Sequence, residues 1–325
     1  MPSASNPPAI YIGSYLYPPT FLARPNYDDK AASADVIDHV TLAGSEILVT
    51  RMGGLFTAIP VDLIGERKTP EGHLLWDHMQ AQLDFEQHVC DTFNLLICEF
   101  CLNGHVAEPA SPAFLGTGLL RGNRLHVEKF HGAPVSYSDR VVTAAAATRH
   151  DELFTIIALD ADTKLLPLSR EATTSNRLAS IAPTLPAFVA AAYSLYSQHR
   201  LPEALIDAWI ASEQIIDNLW DAYTTAIPDK ARHDRLADSR TYTAAVRLEV
   251  LFTAGRLPQE LYAGLQIARQ HRNNVSHRAK VDFFATMHTL DALKSLIQFV
   301  TDRTVSDFPP PGGPLWDLKA PDEPT

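Results

Sequence analysis

The sequence predicts an α+β fold, with a β-rich N-terminal domain followed by an all-α helical bundle. The first half of the chain contains short runs rich in β-branched and aromatic residues that end at Gly, Pro or Asn. From about Pro186 the apolar residues recur at helical spacing instead. We therefore divide the 325 residues into an α+β domain (1–180), a helical bundle (181–305) and a Pro/Gly-rich disordered tail (306–325).

Six runs in the first half have the composition of β-strands. They are residues 9–16, 36–42, 46–51, 125–130, 140–146 and 153–160. The Met52-Gly53-Gly54 stretch separates two apolar runs, as a hairpin turn does. One helix, about residues 78–102, interrupts the strands and ends at Asn103-Gly104, which is a natural C-terminal cap.

The second half predicts a series of helices. Pro202 stands at a first helical turn, where its missing N–H is harmless. One apolar stripe follows it, made of Leu205, Ala208, Trp209, Ser212, Ile215, Ile216, Leu219 and Tyr223. Further helices are expected at residues 241–253, at 258–272 or beyond, and at 283–302. Gly255 ends one of these helices and Pro258 begins the next.

The composition excludes several classes of protein. No apolar run approaches the ~20 residues that span a bilayer, so we expect no membrane partner. The N-terminus has no basic region before an apolar core, and three cysteines do not form a disulfide framework. These features predict a reduced, cytoplasmic protein. The net charge of -11 argues against a protein that coats nucleic acid over a whole face, although it leaves room for a local basic cleft.

One such basic segment is RQHRNNVSHRAK at residues 269–280, which contains no carboxylate. Arg272 and His277 are five positions apart, or about 140° around an ideal helix, so they do not share a face. They could flank one groove, or the helix could loosen at Asn273-Asn274. Imidazole exchanges protons near neutral pH, and guanidinium matches phosphate oxygens. Together the two side chains could act on a phosphodiester without a metal.

The spacing by itself is common, since Arg121 and His126 share it, but the surrounding sequence carries a resemblance. The segment AAVRLEVLFTAGRLPQELYAGLQIARQHRNNVSHRAK resembles the HEPN superfamily, specifically its ApeA-like members. Arg272, Asn273 and His277 lie at the signature positions. The earlier ALIDAWIASEQIIDNLW resembles an early helix of the same bundle, in which Glu213 matches a mid-helix Glu. The resemblance covers about residues 185–303.

The resemblance implies a helical bundle that acts as a metal-independent ribonuclease and forms homodimers. His277 would be the general acid or base, Arg272 would stabilise the phosphate, and Asn273 would orient the phosphate or the histidine. RNA supplies the nucleophile, its 2′-hydroxyl. The flanking phosphates would be held by Arg269, Arg278 and Lys280. Glu213 would support the site, and no cofactor is expected.

The resemblance also implies a biological setting, a prokaryotic antiviral defence protein or toxin. In that setting the N-terminal domain would recognise a trigger ligand or a phage protein. Some members of the family keep the bundle without catalysis. The alternative function is therefore a non-catalytic RNA-binding or dimerisation module attached to a recognition domain.

Structural explanations exist for the same residues. Arg272 could cap a helix C-terminus, where cations are favoured. A zinc site could form from His88, Cys90, Cys98, Cys101 and His105, but these cysteines lie among apolar residues, as buried thiols do. Asp160-Ala161-Asp162 resembles a strand-ending turn more than a metal site. The aromatic residues Trp209, Trp220 and Phe252 are expected in the core.

Overall fold

A computed structural model describes residues 9–16, 20–22, 34–51, 53–130, 157–158, 173–236, 238, 240–278 and 283–307. The chain divides into two units. Unit 1 consists of Met1–Phe100 and Ala107–Asn176, and unit 2 consists of Cys101–Val106 and Arg177–Thr325.

Unit 1 contains a six-stranded antiparallel sheet and a two-stranded parallel ladder. The strands are β1 (Ile10–Tyr15), β2 (Thr20–Phe21), β3 (Val36–Leu42), β4 (Ser45–Thr50), β5 (Gly54–Ala58), β6 (Gly116–Arg121), β7 (Arg124–Phe130) and β8 (Ile157–Ala158). The large sheet has the order β3-β4-β5-β1-β6-β7, and β2 pairs with β8. The Gly53 turn between β4 and β5 has a φ of 71°, which glycine adopts without strain.

The centre of the sheet depends on a close backbone approach at Gly13. This residue lies in β1 between Phe56 of β5 and Gly116 of β6. A Cβ atom at Gly13 would lie 2.0 Å from the carbonyl oxygen of Leu55. One face of the sheet buries a hydrophobic cluster that includes Phe56 and Leu125. This sheet therefore requires a glycine where two strands approach closely and large apolar side chains on the face that is buried.

The helix between the strands is α1 (Trp76–Leu102). Its Phe93 and Ile97 are buried and line a small space together with Ser14 and Leu55 of the sheet. After α1, Gly104 has a φ of 87° and its N–H donates to the carbonyl oxygen of Cys101 at 2.9 Å. The cap predicted at Asn103-Gly104 is confirmed.

Seven helices follow the sheet in the described part of the chain. They are α2 (Thr173–Ile181), α3 (Leu185–Ser197), α4 (Leu201–Thr225), α5 (Lys230–Leu236), α6 (Ala244–Thr253), α7 (Gln259–Arg278) and α8 (Phe283–Thr301). Helix α4 contacts α3, α6, α7 and α8 and so forms the centre of the bundle. Its Trp209 and Trp220 are almost fully buried, which confirms their expected place in the core.

The fold class is therefore α+β, as the sequence predicts. Four of the six predicted strands correspond to β1, β3, β4 and β7, whereas the sequence predictions do not include β2, β5, β6 or the helices α2 and α5. The predicted strand at residues 140–146 lies outside the described residues, as does most of that at 153–160. Of the predicted tail, residues 308–325 lie outside them too, while the Ser306 N–H donates to the carbonyl oxygen of Leu102 at 2.9 Å.

Among the described residues, no single helix has the length and apolar composition needed to cross a membrane. By those two criteria alone, the bent pair of α2 and α3 would qualify together, with 116° between their axes.

Candidate functional site

The candidate site lies on α7, which runs without a break through Asn273 and Asn274. The alternative in which the helix loosens at this pair is therefore not what the backbone shows. On an unbroken helix, Arg272 and His277 are separated by a rise of about 7.5 Å and a rotation of about 140°. The two residues thus occupy positions on different faces of one helix.

Arg272 and Asn273 form the first part of the site. Both side chains are half-buried, and an Nη1 hydrogen of Arg272 points to the Oδ1 atom of Asn273 at 3.4 Å. One turn earlier, the Nε atom of Arg269 donates to Oε1 of Gln266 at 3.1 Å. Two of the predicted cations thus have defined neighbours along the helix.

The other predicted contacts can be placed only in part. His277 and Arg278 belong to α7 by their backbone, but their side chains lie outside the described residues. Lys280 also lies outside them. The roles assigned to these three residues stay predictions.

Glu213 of α4 lies close enough to Arg272 for the charges of the two side chains to interact. Burial raises the pKa of the Glu213 carboxyl above its ordinary value, and the charge of Asp217 acts in the same direction. A hydrogen bond from Trp209 and the nearby guanidinium groups of Arg272 and Arg247 oppose that rise in pKa. The structure therefore brings together Glu213 and Arg272, which are 59 positions apart in the sequence.

Arg247 of α6 also belongs to this group, although no sequence pattern points to it. Its side chain is only 13% exposed, and its Nη1 atom donates to Oδ1 of Asp217 on α4. The Nε atom of Arg247 is buried and has no hydrogen-bond partner. Because the two residues of this pair lie 30 positions apart in sequence and on different helices, no local pattern could have predicted it.

A chain of hydrogen bonds leads along α7 toward the site. The hydroxyl of Tyr262 donates to Glu249 of α6, and Nε2 of Gln266 donates to the Tyr262 oxygen at 3.2 Å. The Glu249 contact raises the pKa of the Tyr262 phenol. Phe252 stacks on the Tyr262 ring with 4.3 Å between centroids. Because Gln266 also accepts a hydrogen bond from Arg269, this series of hydrogen bonds positions the side chain of Arg269, one of the predicted phosphate-binding cations.

A pair of histidines lies beside the signature residues. The rings of His271 on α7 and His288 on α8 stack with their centroids 5.9 Å apart. His288 also lines a groove of about 580 Å³ between these helices, together with the exposed Ile267 and Phe299. A local reading of the sequence gives no sign of this pair, because it depends on how the two helices pack.

The zinc alternative finds no support in the described residues. The three cysteines are buried and form no disulfide. Burial raises the pKa of Cys90 to about 12, with Asp91 and Glu86 adding to the effect, so this thiol does not ionise readily. No group of three or more His, Cys, Asp or Glu side chains among the described residues is arranged to hold a metal ion.

Comparisons with protein-family models, with curated proteins and with solved structures give no match to this chain.

Proposed function

We propose that this chain is a metal-independent endoribonuclease of the HEPN type. The observation that carries the proposal is that one unbroken helix, α7, bears the contacting Arg272–Asn273 pair and His277. Glu213 of the central helix α4 interacts electrostatically with Arg272. These are the residue types that transfer protons and stabilise charge on a phosphodiester. The resemblance of the sequence to ApeA-like members supplies the family.

In the proposed reaction the 2′-hydroxyl of RNA attacks the adjacent phosphorus. His277 accepts the hydroxyl proton, and the bond from phosphorus to the 5′-oxygen breaks as the protonated His277 returns that proton to the 5′-oxygen. The products are a 2′,3′-cyclic phosphate and a 5′-hydroxyl. Arg272 stabilises the extra negative charge on the phosphoryl oxygens, and Asn273 orients the phosphate. Arg269, Arg278 and Lys280 bind neighbouring phosphates, so binding weakens as salt rises.

The active species in this proposal is a homodimer in which two signatures face one cleft. Because the positions of Arg272 and His277 are about 140° apart on one helix, a second copy would bring the arginine of one chain to the histidine of the other. The setting implied by the resemblance is prokaryotic antiviral defence or a toxin, with the N-terminal domain recognising the trigger.

A second candidate function is a non-catalytic RNA-binding or dimerisation module. The groove between α7 and α8 favours it, because the side chains of Ile267 and Phe299 are 45% and 42% exposed there. Exposed apolar side chains beside a groove are typical of interaction surfaces. In this version the helix pair associates and the signature binds RNA without cleaving it.

Cleavage of RNA in EDTA tests the proposal. The full-length protein is expected to cleave single-stranded RNA and to leave cyclic phosphate ends, whereas a strand with one 2′-deoxy nucleotide resists at that position. His277→Ala and Arg272→Ala should each reduce the rate at least 100-fold. The matched controls are His233→Ala and Arg256→Ala, which remove a histidine and an exposed arginine elsewhere in the bundle. RNA binding that is retained in all four variants without cleavage would favour the second candidate.

Co-expression of Arg272→Ala with His277→Ala tests the composite site. If each site takes its arginine and its histidine from different chains, a mixed dimer regains one intact site. Half of the dimers are mixed, so about a quarter of the activity should return. If both groups come from one chain, no activity returns.

A further inference from the structure

The groove between α7 and α8 leaves apolar side chains in contact with water. Its volume of about 580 Å³ lies within the range of binding sites, about 300–1,000 Å³. Leu261 and Ala292 contribute to its lining, together with the exposed Ile267 and Phe299. A second apolar group that covered this lining would stabilise it, because the covered surface is removed from water.

The chain turns back along α8 after that helix ends. Asp302 has a φ of 54°, the left-handed conformation that commonly ends a helix and reverses the chain. The carbonyl oxygen of Val305 then lies 3.5 Å from Nε2 of Gln298, and Asp307 forms an ion pair with Lys294. The segment of residues 303–307 therefore runs back toward the middle of α8.

This returning segment lies at the edge of the groove. Gln298, the neighbour of Val305, itself lines the groove. Lys294 stands three positions after Asp291, another lining residue, so the two share one side of α8. Burial raises the pKa of the Asp291 carboxyl, and the charge of Asp307 adds to that rise, as a carboxylate close by does. The described part of the chain therefore ends beside the groove.

The 18 residues that follow Asp307 consist of an apolar part and a charged part. Residues 308–316, FPPPGGPLW, include four prolines and three large apolar side chains but no charge, whereas residues 317–325, DLKAPDEPT, include four charged side chains. Proline-rich segments bind apolar grooves at a low cost in conformational entropy, because their extended conformation is already restricted.

The apolar part is long enough to reach the whole groove. At about 3.1 Å per residue, the nine residues from 308 to 316 extend roughly 28 Å. The groove-lining residues of α8 run from His288 to Phe299, which is about 17 Å along the helix axis. Trp316 can therefore reach any part of the groove from the position of Asp307.

We propose that residues 308–316 occupy the groove of their own chain, with Leu315 and Trp316 against Ile267 and Phe299. An uncharged segment suits the site, because Glu260 and Asp291 also line the groove and would repel the mainly acidic residues that follow it. The proposal does not rest on the ribonuclease chemistry. It competes with the association of the α7–α8 pair considered above, since one surface cannot serve both at once.

Chymotrypsin digestion of the full-length protein tests the proposal, because the protease cleaves after Trp316 only when that segment is released from the groove. A synthetic peptide of residues 308–325 gives the rate for the unbound segment, and mass spectrometry follows the products. The full chain should be cleaved after Trp316 about tenfold more slowly than the peptide, or more slowly still. The ratio should be the same at protein concentrations about a hundredfold apart, because segment and groove belong to one chain.

Two variants locate the site and one serves as a control. Ser295→Phe fills the groove from an exposed position of α8 and should bring cleavage to within about threefold of the peptide rate. Phe299→Ser removes an exposed apolar contact and should also speed cleavage. Ala263→Phe adds the same ring at an exposed position of α7 outside the groove lining, and should keep the wild-type rate. Circular dichroism checks that each variant is folded.

Three outcomes would overturn the proposal. The first is cleavage of the full chain as fast as the peptide, as would be found if the groove were open or reserved for another protein. The second is protection that is lost on dilution, which would mean that a second copy supplies the segment. The third is protection that survives in both folded Ser295→Phe and folded Phe299→Ser, which would locate the segment elsewhere.

Discussion

The replacement Trp209→Phe tests the environment that we describe for Glu213. The indole N–H of Trp209 donates to the Glu213 carboxyl and lowers its pKa against the effect of burial. Phenylalanine keeps an aromatic ring in this almost fully buried position but has no hydrogen-bond donor. The variant therefore removes one contribution to the stability of ionised Glu213 and leaves the rest of the cluster in place.

The expected magnitude follows from the contact. A hydrogen bond to a charged group contributes about 1.5–3 kcal/mol when buried, but Glu213 is only half-buried, so water screens the contact and we expect about 1 kcal/mol. The smaller ring adds a packing loss that does not depend on pH. A double-mutant cycle with Glu213→Gln separates the two effects, because the packing loss cancels while the pairing between the two groups does not.

The pH dependence has a definite sign. Since the pKa of Glu213 is raised by folding, the native state holds its proton more tightly, and stability falls as pH rises through that raised pKa. Without the indole donor the fall should be steeper, and in Glu213→Gln this contribution should be absent. Urea unfolding followed by circular dichroism, with hydrogen exchange of the α4 peptides, measures it between pH 4 and 8. A coupling below about 0.3 kcal/mol at pH 8 would refute the described contact.

The remaining predictions concern unit 1 and metals. Gly13→Ala should destabilise unit 1 by about 3 kcal/mol or more, because its Cβ would collide with the Leu55 carbonyl oxygen. Gly44→Ala, at a positive φ with open space around it, should cost about 1–2 kcal/mol, and thermal unfolding that ranks the two in the opposite order would contradict the described register. The Cys90 thiol, with its pKa of about 12, should resist iodoacetamide at pH 8 until the protein is unfolded, as mass spectrometry of the labelled peptide can check. EDTA should leave the melting temperature of the protein unchanged. Stoichiometric zinc in the purified protein would instead support the zinc-site alternative.

The sequence predicts most of the helices because their ends carry local signals. Pro202 lies in the first turn of α4, and Gly255, with a φ of 67°, follows the end of α6. These residues act within one turn of the chain, so no tertiary contact is needed to recognise them. Helix α5 has no buried residue, and consequently no apolar period revealed it.

Strand β6 was missed for a different reason. Gly116 and Gly118 weaken its strand propensity and suggest a turn. In the sheet, however, Gly118 serves a close approach, since a Cβ atom there would lie 2.9 Å from the carbonyl oxygen of His126. A glycine selected for contact with a neighbouring strand cannot be told from a turn glycine until the neighbour is known.

The candidate site likewise contains residues that the local sequence predicts and residues that only helix packing brings together. The signature is local, so Arg272 and Asn273 could be identified from sequence, and Glu213 could be matched to the family pattern. Arg247 and its partner Asp217 could not, because their association depends on the packing of α4 against α6.

The structure also weakens one of the structural explanations for the basic segment. A cation that serves only to offset the helix dipole is effective in the last turn of a helix. Arg278 is the final residue of α7, so that explanation applies to it directly. Arg272 stands six positions before the end, more than one full turn earlier, and its half-buried side chain is close enough to Glu213 to affect the pKa of that carboxyl. Partial burial of a guanidinium costs solvation that a dipole contact at this distance does not offset. The position of Arg272 therefore calls for another explanation: its neighbours Asn273 and Glu213 are consistent with its partial burial, and binding of a phosphate stays a proposal.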